Sequence, residues 1–295
     1  MTIKDQRNQD EKKSSSSKGS DSRSNKRWSI NTGLLLGSQA ITMLGSSLVQ
    51  YAIMWYIILD TTSGAMMTLY VIAGFLPHVL VSPIAGVLAD RFDRKKIIIS
   101  ADLSIAGVTL ILALVFLSGY KPYWLLFLAS LLRSVGSGIQ TPAVSAILPD
   151  IVPEEKLMRV GGINSSIQSL IFILAPACGG ILLSIADLTA ALFTDLFTAI
   201  IGVGVLLGIS IPFDKTRNID KKNNYWRDLI DGLKYVRKHQ FIGFILIFYA
   251  LFCVFISPIS FLSPIFIARN FGGEVLHLTL QEVVFSSGSV LGGIA

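Results

Sequence analysis

Four charged side chains interrupt stretches that are otherwise bare of charge: Asp102, Arg133, Asp195 and Glu282. A charged group at such a position faces a protein interior or a watery cavity, and it marks a path for protons, ions or ligands. Arg133 follows Pro122 by eleven residues. At a rise of about 1.5 Å per residue this sets it roughly 16 Å into a helix, near the middle of a bilayer. Asp195 and Glu282 each lie seven residues into their segments, about 10 Å deep. Asp102 lies close to the basic end of its own segment, where a pairing with Arg94 or Lys95 is open to it. A carboxyl group taken out of water accepts a proton more readily than in solution. Asp195 or Glu282, acting with Arg133, is therefore a candidate for carrying a coupling proton, with Asp102 as a further one. The alternative is structural, with Arg133 in an ion pair inside the bundle and the carboxylates snorkelling or hydrogen-bonded.

Neutral polar groups supply a second pattern. Gln39, Thr42, Ser46 and Gln50 recur at spacings of three and four, which places them on one helix face. Such a stripe lines a substrate cavity at the membrane midplane or holds helices together by hydrogen bonds. His78, beside Pro77, is expected to be a satisfied hydrogen-bonding group. Between residues 86 and 96 stands a charge cluster, Gly86-Val-Leu-Ala-Asp90-Arg91-Phe-Asp93-Arg94-Lys95-Lys96. Gly86 would allow close helix approach. The charges could form a latch that holds in one conformation and opens in another, or serve as plain membrane anchors.

These residues must be positioned by membrane-spanning helices. Apolar residues make up 52% of the 295, and charged residues only 15%, against roughly 25% in soluble globular proteins. Eight segments are long and apolar enough to be read as spans, at 33–59, 61–89, 97–120, 122–149, 160–186, 188–213, 241–268 and 275–295. Lys and Arg fix the orientation. With residues 1–28 inside, 22 basic residues fall on the inner side and only Lys121 and Arg269 on the outer. The net charge of +6 thus reports membrane flanks, not nucleic-acid binding. Residues 1–28 read as a disordered basic cytoplasmic tail. Residues 29–213 read as a six-helix transmembrane half. The stretch 214–240 is a cytoplasmic linker in which Asp228, Leu229, Leu233, Tyr235 and Val236 suggest an amphipathic surface helix. Residues 241–295 begin a second half. The last span ends without a basic flank, so the chain is expected to be a C-terminal truncation that does not transport by itself. Cys178 and Cys253 are expected to be buried structural thiols.

The order of residues in the charge cluster resembles the signature loop of the major facilitator superfamily, G-x-L-A-D-R-x-G-R-K. The match holds at Gly86, Leu88, Ala89, Asp90, Arg91, Arg94 and Lys95. It departs at Asp93, where an acid is similar to the macrolide-efflux branch of the drug:proton antiporters. Arg133-Ser-Val-Gly136-Ser-Gly138 resembles the fourth-helix motif of such antiporters, whose arginine is linked to proton transfer. Ala175-Pro176-Ala-Cys-Gly179-Gly180 resembles their motif G-P-x-x-G-G, in which Pro176, Gly179 and Gly180 bend and pack the fifth helix. The resemblance implies an all-α membrane protein of the major facilitator fold, with a complete N-terminal six-helix half and the first two helices of the C-terminal half.

The function expected is proton-coupled efflux of amphipathic small molecules, such as macrolide-type drugs, by alternating access, and hence drug resistance. A siderophore or metabolite exporter of the same superfamily is one alternative. A non-transporting sensor, scaffold or inert fragment is another. No nucleophile–base set, phosphate loop or metal spacing suggests an enzyme. The partners expected are a small-molecule substrate, protons and the lipid bilayer, with no nucleic acid, no cofactor, no metal and no obligate protein partner. The location expected is the cell membrane, multi-pass, with the N-terminus cytoplasmic.

Overall fold

The computed structural model describes the backbone of residues 3–209, 234–236, 238–272 and 274–294, and side chains from Trp28 onward apart from a few positions. Among the described residues the secondary structure is helical throughout. In chain order the long helices are α1 (Ile3–Thr61), α2 (Gly64–Arg91), α3 (Arg94–Leu117), α4 (Tyr123–Ile151), α5 (Glu154–Ile185), α6 (Leu188–Gly208), α7 (Gln240–Asn270) and α8 (Val275–Ile294). Each of the eight apolar segments thus coincides with a helix. Most of the amphipathic linker expected at 214–240 lies outside the described residues.

Helix ends follow local chemistry. Ser63 caps α2 and accepts from the Met66 amide at 3.5 Å. Asp93 caps α3 and accepts from the Lys95 amide at 3.0 Å, which satisfies one of the amides a helix start leaves open. Pro122 and Pro153 stand at the N-caps of α4 and α5, where a missing N–H costs little. Between α1 and α2 the chain reverses through Thr62, at φ +45°. Arg269, at the end of α7, donates to the Thr62 carbonyl at 2.8 and 3.2 Å.

The helix of α1 runs back to Ile3, through a segment with no proline and one glycine, so nothing in the backbone interrupts it. The part of α1 long and apolar enough to cross a membrane is Trp28–Thr61.

Among the described residues, five helices qualify as spans by length and apolarity alone: Trp28–Thr61, Gly64–Ala89, Arg94–Leu117, Glu154–Ile185 and Leu188–Gly208. α4 falls short because Ser130, Arg133, Ser134, Ser137 and Gln140 lower its hydropathy, and all five of these line a cavity. The residues that weaken its membrane signal are the ones turned inward.

Six helices form a bundle in which α1 packs on α5 and α6, α2 on α4, and α3 on α4 and α6, while α8 joins it through α5. Two apolar clusters hold it. One gathers Ile53, Trp55, Leu112, Phe116, Leu126 and Leu192; the other gathers Leu35, Leu36, Ile98, Ile147 and Leu206. On α1, α3, α4 and α6 the polar residues of interest fall in sequence between these two clusters, so a polar layer is enclosed by apolar packing on both sides. Close helix approach in that layer depends on glycine. A Cβ on Gly138 of α4 would sit 3.0 Å from the His78 carbonyl oxygen on α2. A Cβ on Gly179 of α5 would sit 3.3 Å from the Leu48 carbonyl oxygen on α1.

Candidate functional site

Arg133 on α4 and Asp195 on α6 form an ion pair, with side-chain exposures of 9% and 2%. α1 and α3 complete its surroundings. The Ser46 hydroxyl donates to Asp195 Oδ1 at 3.0 Å, and Thr109 Oγ1 lies 2.9 Å from Asp195 Oδ2. The Arg133 guanidinium also donates to Thr109 Oγ1 and to the Ser46 carbonyl at 3.1 Å. Two opposite charges so far from water are tolerable only when paired and hydrogen-bonded. Here both conditions hold, on four different helices. Of the two partners expected for Arg133, Asp195 is the one in place. Glu282 on α8 instead accepts from the Tyr51 hydroxyl at 3.2 Å.

Arg133 also faces a cavity of about 340 Å³ between α1, α2, α4 and α5. Its lining corrects the expectation for the polar stripe of α1. Gln39, Ser46 and Gln50 line the cavity, whereas Thr42 is buried toward α6, its methyl group occupying the space beside Gly202, and its hydroxyl donates to the Ser38 carbonyl at 3.0 Å. Four carboxamides besides Gln39 face the cavity, from Gln50, Gln140, Asn164 and Gln168, together with the hydroxyls of Ser47, Ser130, Ser134, Ser137, Thr141 and Ser145. Among the described residues, Arg133 is the one Lys or Arg in the lining, and no Asp or Glu is part of it. The wall is thus nearly uncharged and sets these polar groups among the apolar surfaces of Met43, Ile53, Phe75 and Val144, which suits a ligand of mixed character.

Gln140, Ser134, Thr109, Asn164 and Gln168 are members of the site that the sequence patterns above do not include. The signal was available for α4, where Ser130, Arg133, Ser134, Ser137, Gln140 and Thr141 recur every three or four residues in an apolar helix, and for α5, where Asn164 and Gln168 are one turn apart.

Asp102 does not pair with Arg94 or Lys95. It is 4% exposed and accepts from Gln140 Nε2 at 2.6 Å. The same nitrogen donates to Gln39 Oε1 at 3.1 Å. At His78 the described hydrogen bond is a backbone one: its amide donates to Ser134 Oγ at 3.0 Å, and that hydroxyl donates to the Gly74 carbonyl at 2.5 Å. The Ser134 hydroxyl is thus inserted into the ladder of α2 next to Pro77, a recognised cause of helix bending.

The charge cluster occupies the rim. Arg94 pairs with Asp150 at the end of α4 and donates to the Ala89 carbonyl at 2.9 Å and the Ala146 carbonyl at 2.6 Å. Lys95 Nζ donates to the carbonyls of Leu207 and Ile209 at 3.0 and 2.7 Å, which are open acceptors at the end of α6. Arg94 and Lys95 thereby tie α2, α3, α4 and α6 together, with Asp93 serving as the cap of α3. The side chains of Asp90 and Arg91 lie outside the described residues. Gly86 does not mediate close packing, since a Cβ there would meet nothing within 4 Å. Pro176, Gly179 and Gly180 are buried within α5, and Gly180 packs on Thr279 of α8. Cys178 is partly buried, while Cys253 is exposed on α7 rather than buried.

Comparison with known proteins accords with this architecture. A family profile described as Major Facilitator Superfamily matches residues 35–295. Macrolide efflux protein A of Streptococcus pyogenes is 32% identical over 269 residues, covering 90% of this chain and 66% of that protein. Macrolide efflux protein A of Enterococcus faecalis is 34% identical over 233 residues, covering 78% of this chain and 72% of that protein. The chain thus spans about two thirds of the length of these relatives. A crystal structure of a bacterial homologue of the human lysosomal transporter Spinster, inward-facing and unoccupied, superposes with a TM-score of 0.62 at 19% identity, covering 91% of this chain and 62% of that one. It attests to the fold alone. The chain is a multi-pass membrane protein and belongs to the Major Facilitator Superfamily, grouped there with the macrolide efflux proteins it resembles.

Proposed function

We propose that this chain forms part of a secondary active transporter that exports amphipathic small molecules, macrolide-type drugs among them, in exchange for protons by alternating access. The observation that carries the reading is the buried Arg133–Asp195 pair, with Arg133 on the cavity wall and Asp195 behind it. A proton arriving on Asp195 removes the charge that balances Arg133. The guanidinium then needs another counter-charge, and the cavity beside it is where a ligand could supply one. Proton binding and ligand binding would be linked through one side chain, which is the differential interaction that a two-state transporter requires. The rim contacts of Arg94 and Lys95 would serve as the latch that holds one of the two states. The cell membrane, with the N-terminus in the cytoplasm, is the location supported by 22 basic residues on one side and two on the other.

Cells carrying the full-length gene product should accumulate less of a labelled macrolide than cells without it, and a protonophore should abolish the difference. Equal accumulation across a panel of macrolides, siderophores and other amphipaths would remove the reading. The panel includes siderophores because the Staphyloferrin A transporter of Staphylococcus aureus is 21% identical over 197 residues, which favours a metabolite as the second reading.

A further inference from the structure

Asp102 has no part in the pair described above, yet it is buried and reaches the cavity through Gln140. The carboxamide of Gln140 offers two N–H donors and one acceptor oxygen. Its nitrogen is 2.6 Å from Asp102 Oδ1 and 3.1 Å from Gln39 Oε1. Both donors are therefore committed to groups of the protein. The opposite orientation would press an amide oxygen against a carboxylate, which repels it. The one group that Gln140 has left for the cavity it lines is its carbonyl oxygen. Arg94 and Lys95 bond elsewhere, and the Arg133 guanidinium is directed to Asp195, so the described hydrogen bonds of Asp102 run to the cavity carboxamide and to no cation.

We propose that Asp102 is a positioning residue which, by holding the Gln140 amide, fixes this part of the cavity wall as a hydrogen-bond acceptor that selects substrates bearing a hydroxyl group. The inference rests on the transport reading above and adds the substrate feature that is recognised. A free amide could rotate and accept or donate at will; one anchored on a carboxylate cannot. A substrate hydroxyl that meets this acceptor keeps a hydrogen bond on leaving water. The same substrate with that hydroxyl methylated leaves a buried acceptor unpaired, and sites of this kind reject analogues strongly.

The test uses the full-length gene product in proteoliposomes, with a macrolide and its separate mono-O-methyl ethers as probes. Transport is read as KM and kcat, and binding is read in detergent without a gradient. For the wild type, one ether should bind about tenfold or more weakly than its parent. In Gln140→Leu and in Asp102→Asn the ratio should fall toward one. In Asp102→Asn the change should lie in KM for the parent, with kcat largely kept, and Asp102→Glu should restore part of the discrimination. Transport without discrimination among ethers in the wild type, or an unchanged ratio in both Asp102→Asn and Gln140→Leu, overturns the inference. Discrimination in binding without proton-driven transport overturns the export reading and leaves this one standing. Binding of no probe at all overturns both.

Discussion

Two Arg–Asp pairs join α4 to its neighbours, and their settings are opposite. Arg133–Asp195 lies in the enclosed polar layer, with exposures of 9% and 2%. Arg94–Asp150 lies at the rim, with exposures of 20% and 25%. In the layer, removing one partner strands an uncompensated charge away from water. At the rim, water and salt can replace either partner. The same two residue types therefore do different work. The deep pair cannot separate unless a proton or a ligand takes over one of its roles, which is what a coupling site needs. The rim pair can open and close at little cost, which is what a latch needs.

The contrast should show first in single substitutions of the deep pair. Asp195→Asn or Arg133→Gln should lower stability by about 3–5 kcal/mol, measured by thermal or denaturant unfolding in detergent, and should abolish proton-driven export. The double variant Arg133→Gln/Asp195→Asn, with no net charge to strand, should recover much of the stability but not the coupling. A double variant as unstable as either single one would show that the two residues do not act as a unit.

A volume test comes next. Gly138→Val should cost about 1–3 kcal/mol by overpacking, because even a Cβ there meets the His78 backbone. At the rim the effects should be smaller. Arg94→Ala should change stability by less than about 1 kcal/mol, yet should slow export by biasing the two states. A loss of stability as large as that of Asp195→Asn would erase the distinction between rim and layer. Gly86→Ala should be the mildest, neutral or stabilising by up to about 1 kcal/mol, since open space surrounds the position. A clear destabilisation there would show that this end of α2 packs more tightly than the structure has it.

The sequence carried the one-dimensional part of this account well. Span positions follow from apolar runs, the depth of Arg133 from its distance to Pro122, and the need for an acidic partner, Asp195 or Glu282, from the cost of stranding a charge in lipid. What it did not carry was adjacency between helices. Membrane helices are apolar on nearly all sides, so periodicity gives weak guidance on which face meets which neighbour. Thr42 looked equivalent to Gln39 and Ser46, but it turns toward Gly202 on α6. Asp102 stood near Arg94 in sequence, but α4 brings Gln140 to it. Asp150 was invisible as the partner of Arg94 because only the packing of α3 on α4 joins them. Gly86 matched a family pattern without the close contact assumed for it. Most of the linker at 214–240 and the side chains of Asp90 and Arg91 lie outside the described residues.

The most direct test of the deep pair is the proton movement that accompanies macrolide export in proteoliposomes, read by an internal pH dye for the wild type and for Arg133→Gln/Asp195→Asn. Macrolide-dependent proton flux is expected in the wild type and none in the double variant, which should still exchange labelled for unlabelled macrolide. A double variant that moves protons with macrolide as the wild type does would contradict a coupling role for the deep pair.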